Sequence, residues 1–328
     1  MAQVVLVKIA AMFLVIVVGW LARRRGFLAA EFTATLSRLV VDIAFPALVF
    51  TQLLRTVDAA ALRAEWFSPL LSVLMFFVAY FVGLVVSPLF SGPAQRNTLI
   101  FLVSVPNWVF LPLPIAEALY GAAGVRTVLL FNAGGQLVLW SFGVWILHGS
   151  IRQALQNLLT NTGLWATVLG IAVALLFPAA RGLETMNATS ASLGAVVGGS
   201  LVQALAMVGS LTIPLSLLMI GAQLGGLSIA VHRFPRPLWG VILARLIVAP
   251  LVTVALGYAA MRAGVQIPDT TRMVCYLIST MPVAISCSVM TERYGGDVSL
   301  AAEGTFYSTL FSLLTVPAMF WLIQQFGL

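Results

Sequence analysis

Charge is scarce in this 328-residue chain: 8% of its residues are Asp, Glu, Lys or Arg, against about 25% in an ordinary soluble domain. So little charge cannot cover a water-facing surface. Lys8 is the single lysine, and no basic run exceeds Arg23-Arg24-Arg25, so the net charge of +7 forms none of the stripes that nucleic acid requires. No nucleic-acid partner is expected. Cys275 and Cys287 share one apolar segment without metal-ligand spacing or a second pair, and read as packed thiols. His148 and His232 fall at loop edges, far apart and without an acid at metal spacing. There is no G-x-S-x-G elbow, no H-E-x-x-H, no Walker loop and no GxGxxG opening a Rossmann unit. The chain is therefore not expected to be an enzyme, to hold a metal or to drive transport with ATP by itself.

What it has is apolar length: 61% hydrophobic residues and a mean hydropathy of +1.06. Counted in spans of roughly 20 residues, the chain holds ten, near 3–22, 33–54, 66–90, 97–119, 124–148, 162–180, 199–226, 237–262, 272–292 and 299–325. Backbone polar groups in hydrocarbon must be satisfied within the segment, so these spans are predicted helical. The fold class is an all-α integral membrane protein, with the lipid bilayer as its solvent. Lys8 is the only positive charge before the apolar run of the first span, and the run ends in Arg23-Arg24-Arg25 rather than a small-residue cleavage site, so it is expected to stay as a helix. With both termini outside, the inner loops collect Arg23, Arg24, Arg25, Arg38, Arg96, Arg152, Arg233, Arg236 and Arg293. The outer loops keep Arg55, Arg63, Arg126, Arg181, Arg262 and Arg272. This excess favours termini outside a cytoplasmic (inner) membrane.

The halves repeat. Tyr120-Gly121 closes the fourth span and Tyr294-Gly295, 174 positions later, closes the ninth; the same offset carries Gly83 onto Gly257 and Pro112 onto Ser286. Proline recurs in the second and seventh spans, Pro46 and Pro214, and in the fourth and ninth, Pro106 and Pro282. Five spans in each half put the second half, 149–328, into the membrane upside down relative to the first, 1–148. Inverted repeats of this kind build transporters.

The fourth span contains Pro106, Pro112 and Pro114, and each proline inside a helix costs about 3 kcal/mol unless compensated. The span must break. The ninth carries a matching feature, from Ser279 through Pro282 and Val283 to Ser286 and Ser288. Two breaks at corresponding depths point to a shared midplane cavity, where half-helix N-termini favour an anion. Asn107 offers a donor and an acceptor there, and Ser104, Ser286 and Ser288 offer hydroxyls. Helix gluing or capping explains the serines as well as ligand contact does. Asn132 and Gln136 in the fifth span are further candidates for lining the cavity. Asp42 and Glu303 are candidates for a coupling proton. Arg245 is a candidate for attracting the substrate or pairing with an acid, and interfacial placement is the competing account of all three.

At these residues the chain resembles the auxin efflux carrier family, whose bacterial members include organic-acid and malonate carriers. The resemblance rests on Gly19 with Arg23-Arg24-Arg25-Gly26, Phe45-Pro46-Ala47-Leu48-Val49-Phe50, Ile213-Pro214-Leu215 with Ile220-Gly221-Ala222-Gln223-Leu224, Arg245-Leu246 with Pro250, and Met281-Pro282 followed by Tyr294-Gly295-Gly296-Asp297 and Ser308-Thr309-Leu310. It implies crossed broken helices four and nine in a transport domain of spans three to five and eight to ten. Spans one, two, six and seven form the scaffold, and a homodimer through that scaffold is implied. It also implies elevator-like secondary transport of a small organic anion, with Asn107 matching the crossover asparagine and Pro114 the crossover proline. Pro112 stands where the family usually has glycine, and Ser286 where it often has asparagine. No cofactor is expected beyond a coupling ion, H+ or Na+. A passive channel, a ligand sensor and an intramembrane enzyme are the rival functions.

Overall fold

The computed structural model describes residues 2–149, 152, 156, 158–185, 192–226 and 234–325; Arg233 and His232 lie outside them. Regular structure among the described residues is helical: α1 (Ala2–Arg24), α2 (Ala30–Leu39), α3 (Phe45–Thr56), α4 (Ala59–Glu65), α5 (Ser68–Phe90), α6 (Pro93–Ser104), α7 (Pro112–Val138), α8 (Val144–His148), α9 (Thr162–Leu176), α10 (Leu193–Ser210), α11 (Thr212–Gly226), α12 (Arg236–Leu243), α13 (Ala249–Arg262), α14 (Asp269–Ser279), α15 (Ser286–Tyr294) and α16 (Val298–Gln325). Among the described residues seven runs are long and apolar enough to cross a membrane: Leu6–Arg24, Glu31–Thr56, Ala59–Phe90, Pro112–His148, Leu193–Gly226, Arg236–Arg262 and Val298–Gln325. α9 is apolar but shorter. The fourth and ninth expected spans are each broken over several non-helical residues, 105–111 and 280–285.

Local chemistry explains most boundaries. Asp58 and Asn161 cap α4 and α9 by accepting from Ala61 N (2.7 Å) and Leu164 N (2.8 Å). Two π-helical turns, Val40–Ala44 and Ala244–Val248, each end just before a proline, Pro46 and Pro250. A proline lacks the N–H for the bond to the preceding turn and crowds that turn's carbonyl, and the wider π turn accommodates both defects without breaking the span. The junction expected between the fourth and fifth spans shrinks to one residue, Gly121, whose φ of 57° and ψ of −140° turn the chain inside an otherwise helical run. Gly295, which the 174-residue offset pairs with Gly121, also takes a positive φ, 90°. Only glycine adopts these values without strain.

The chain separates into two compact units. The first comprises residues 1–13, 67–160 and 227–328, and the second 14–66 and 161–226. Neither coincides with one half of the sequence; each draws on both. In the first unit α6 is the central element, surrounded by α5, α8, α12 and α16. Leu99, Phe101, Leu102, Val103 and Val105 are fully buried there with Val241, Leu246 and Val283. Asp297 ties its ends together: it accepts from Gln95 Nε2 (2.6 Å) and from Leu300 N (2.9 Å), while its own N–H donates to Thr98 Oγ1 (2.9 Å). In the second unit α3 packs on α9 and α10, and α1 meets α11 at two glycines. A Cβ on Gly19 would strike the Leu218 carbonyl, and one on Gly221 the Ile16 carbonyl, so only glycine permits this backbone approach. Leu70, Phe81, Val85 and Leu314 of the first unit and Val18, Leu169 and Leu201 of the second are exposed. A soluble protein would not tolerate so many exposed apolar side chains, and lipid solvates them.

Candidate functional site

α6 ends at Ser104 because Pro106 cannot continue it. Val105 turns extended (φ −112°, ψ 95°), and the short stretch that follows pairs with the matching break of the other half. Pro106 and Val283 form an isolated antiparallel bridge; Asn107 N donates to Pro282 O (2.8 Å) and Ala284 N to Val105 O (3.0 Å). Two interrupted helices thus cross and satisfy each other's exposed backbone, which is the condition for irregular chain at membrane depth. Val283 N donates to Ser308 Oγ (3.2 Å) on α16. Past the crossing, Asn107 Oδ1 accepts from Phe110 N (3.0 Å) and organises the turn into α7, which opens at Pro112, where no N–H is needed. α15 opens at Ser286.

The four half-helix ends at this crossing are treated unequally. Arg245 projects from the π turn Ala244–Val248 and is fully buried. Its Nη1 donates to Val103 O (2.8 Å) and its Nη2 to Ser279 O. Those carbonyls belong to the last turns of α6 and α14, the negative ends of both half-helices. One cation therefore neutralises both C-terminal ends, while the positive ends, at the starts of α7 and α15, receive no acidic side chain in their first turns. The resulting field at the crossing favours negative charge.

The sequence candidates fall into distinct environments. Asn107, Pro106, Pro282 and Val283 are buried in the crossing itself, with Pro112 buried and Pro114 half-buried at the start of α7. Ser286 is exposed at the first position of α15. Ser104 and Ser288 spend their hydroxyls internally: Ser104 Oγ donates to Ile100 O (2.6 Å), and Ser288 Oγ lies 3.3 Å from Ala301 O and 3.1 Å from Thr305 Oγ1. Asn132 and Gln136 lie on α7 and are linked, Gln136 Nε2 donating to Asn132 Oδ1 (3.4 Å) and Trp140 Nε1 to Gln136 Oε1 (2.8 Å). Glu303 is half-buried on the second turn of α16 and accepts from Ser299 Oγ (3.3 Å). Asp42 is exposed in a π turn of the second unit. A cavity of about 10 Å³, room for one water, lies beside the crossing between Met12, Leu111, Ile115, Met281 and Ser312.

Sequence reasoning passed over Trp108 and Ser308. Trp108 sits in the break next to Asn107, is 5% exposed, and its Nε1 has no hydrogen-bond partner among the described residues. An aromatic residue inside a proline-bounded break was the signal available for it. Ser308 holds the Val283 N–H, and nothing in a helix-spaced serine announces that role. Among the described residues no group of His, Cys, Asp and Glu is placed to hold a metal ion.

The family described as membrane transport protein matches residues 4–157, and the sodium bile acid symporter family matches residues 218–327. The first match agrees with the auxin efflux carrier resemblance in the sequence, and the second takes in the other arm of the crossing. An uncharacterized transporter of Methanothermobacter thermautotrophicus is 23% identical over 317 residues, covering 94% of each chain. Another from Methanocaldococcus jannaschii is 23% identical over 321 residues, covering 94% of this chain and 96% of its own. Together these matches indicate a multi-pass membrane transporter.

Proposed function

We propose that this chain is a secondary transporter that moves a small organic anion, a carboxylate or dicarboxylate, by binding it at the crossing of the two interrupted helices. The observation that carries the reading is the disposition of charge there. Arg245 occupies the negative ends of α6 and α14, while the positive ends at Pro112 and Ser286 carry no acid in their own first turns. The unit that contains the crossing takes the role of transport domain and the other that of scaffold, with elevator-like alternating access and a homodimer formed through the scaffold. Both termini lie outside the cytoplasmic membrane in this reading. The coupling ion is H+ or Na+, for which Asp42 and Glu303 are the acids to test.

The experiment is binding and transport with purified protein. Malonate, succinate and acetate are screened for thermal stabilisation, and uptake into proteoliposomes is then followed with and without a proton or sodium gradient. Accumulation against the substrate gradient supports the carrier; flux that rises linearly without saturation supports a channel instead. Asn107→Asp is the informative variant. Aspartate still accepts from Phe110 N, so the turn into α7 survives, but it sets a negative charge at the crossing. Carboxylate binding is expected to weaken at least about tenfold, the equivalent of about 1.4 kcal/mol. Unchanged binding in Asn107→Asp defeats the anion assignment.

A further inference from the structure

We propose that Trp108 Nε1 and Asn132 Nδ2 are the hydrogen-bond donors that receive an oxygen of the transported anion, so that the specificity of the crossing is set on its α7 side. This rests on the anion reading above and names the atoms that would enforce it.

Both donors are buried, Trp108 at 5% and Asn132 at 1% exposure, and neither has a hydrogen-bond partner among the described residues. Buried donors are almost always satisfied, and one left open requires an account. Two in the same neighbourhood share one. The Trp108 indole rests on Gly135: a Cβ there would lie 2.6 Å from Cδ2 and 2.7 Å from Cε2, the atom bonded to Nε1. Gly135 is three residues beyond Asn132 on α7, hence on the same face of that helix. The missing side chain at 135 is what brings the indole N–H against the turn that carries the amide.

The orientation of that amide follows from its neighbours. Trp140 Nε1 donates to Gln136 Oε1, so Gln136 presents its NH₂, which meets Asn132 Oδ1. Were the Asn132 amide flipped, two NH₂ groups would face each other. Its oxygen is thus held inside the relay, and its nitrogen is the end of a chain of donors with no acceptor after it.

The opposite side of the crossing contrasts with this. Ser288, Thr305, Ser308 and Thr309 satisfy one another and nearby carbonyls, and Ser308 Oγ also takes the Val283 N–H. The α16 side is closed by its own hydrogen bonds. The buried side-chain atoms left open here, Trp108 Nε1 and Asn132 Nδ2, are donors, which donate to a carboxylate oxygen and offer nothing to an ammonium or hydroxyl hydrogen.

The test uses detergent-purified full-length protein and whichever of malonate, succinate and acetate most stabilises the wild type. Trp108→Phe keeps an aromatic ring against Gly135 and removes the N–H; Asn132→Asp keeps shape and replaces the donor by an acceptor. Each is expected to retain the wild-type melting temperature without ligand and to bind the carboxylate about 10- to 100-fold more weakly, the size of one lost bond to a charged group. The amide analogue of the same acid should gain on the carboxylate in Asn132→Asp, a readout that a purely structural role would not move. If both variants bind like wild type while Asn107→Asp does not, this assignment is overturned and the anion reading stands. If no carboxylate binds the wild type, or all three variants bind like wild type, the anion reading falls and takes this assignment with it.

Discussion

Replacing Arg245 by methionine removes the cation that joins the two half-helix C-termini while keeping an apolar side chain of similar length. The guanidinium donates to Val103 O and Ser279 O, and neither carbonyl has water to turn to, since Val103, Ser279 and Arg245 are all fully buried. A hydrogen bond to a charged group is worth about 1.5–3 kcal/mol, so two amount to about 3–6 kcal/mol. Part of this is returned because methionine escapes the desolvation that a buried guanidinium suffers. A net loss of about 2–4 kcal/mol remains, and at roughly 2–4 °C per kcal/mol it lowers the melting temperature by about 5–15 °C. Arg245→Lys keeps the charge but its ammonium lacks the planar fork that spans two carbonyls, so it should fall between the two. The assay is thermal unfolding in detergent read by a thiol-reactive dye, because Cys287 is free and fully buried in the fold. If Arg245→Met melts within 2 °C of wild type, a figure well below the roughly 5 °C expected, or if lysine proves worse than methionine, the guanidinium is not what holds the two ends.

Other substitutions probe other contacts. Gly221→Ala drives a Cβ into the Ile16 carbonyl and should destabilise the second unit by about 1–3 kcal/mol, whereas Gly194→Ala, whose Cβ would meet no atom of the described residues within 4 Å, should melt like wild type; equal melting of the two would dismiss the close α1–α11 approach. Asp297→Ala leaves Gln95 and the Leu300 N–H without their acceptor and should cost about 1–3 kcal/mol, with faster hydrogen exchange at the start of α16 as the local sign.

The breaks were legible because proline is a local constraint: Pro106, Pro112 and Pro114 cannot share a regular helix in any surroundings. Tyr120-Gly121 and Tyr294-Gly295 were legible for a similar reason, since both glycines take a backbone angle that other residues resist. The shortness of α9 and the collapse of the fourth-to-fifth junction onto Gly121 were not, because span limits read from hydropathy do not report where the chain turns. Ser104 and Ser288 show a different limit. A hydroxyl in a helix either folds back on its own backbone or reaches outward, and the choice depends on neighbours supplied by other helices.

Composition alone determined that this chain belongs in lipid, because a chain with 8% charged residues has nothing with which to face water. The proline spacing alone determined that two spans are interrupted. Only the tertiary structure decided that the interruptions meet, Val105 to Ala284 and Asn107 to Pro282, since pairing between segments so distant in sequence is set by how the helices pack. It also decided what Arg245 does. The sequence reading offered a substrate charge or an acid partner, but the guanidinium is held by two carbonyls, neutral groups that carry partial charge only because each ends a helix, and no residue type encodes such a partner.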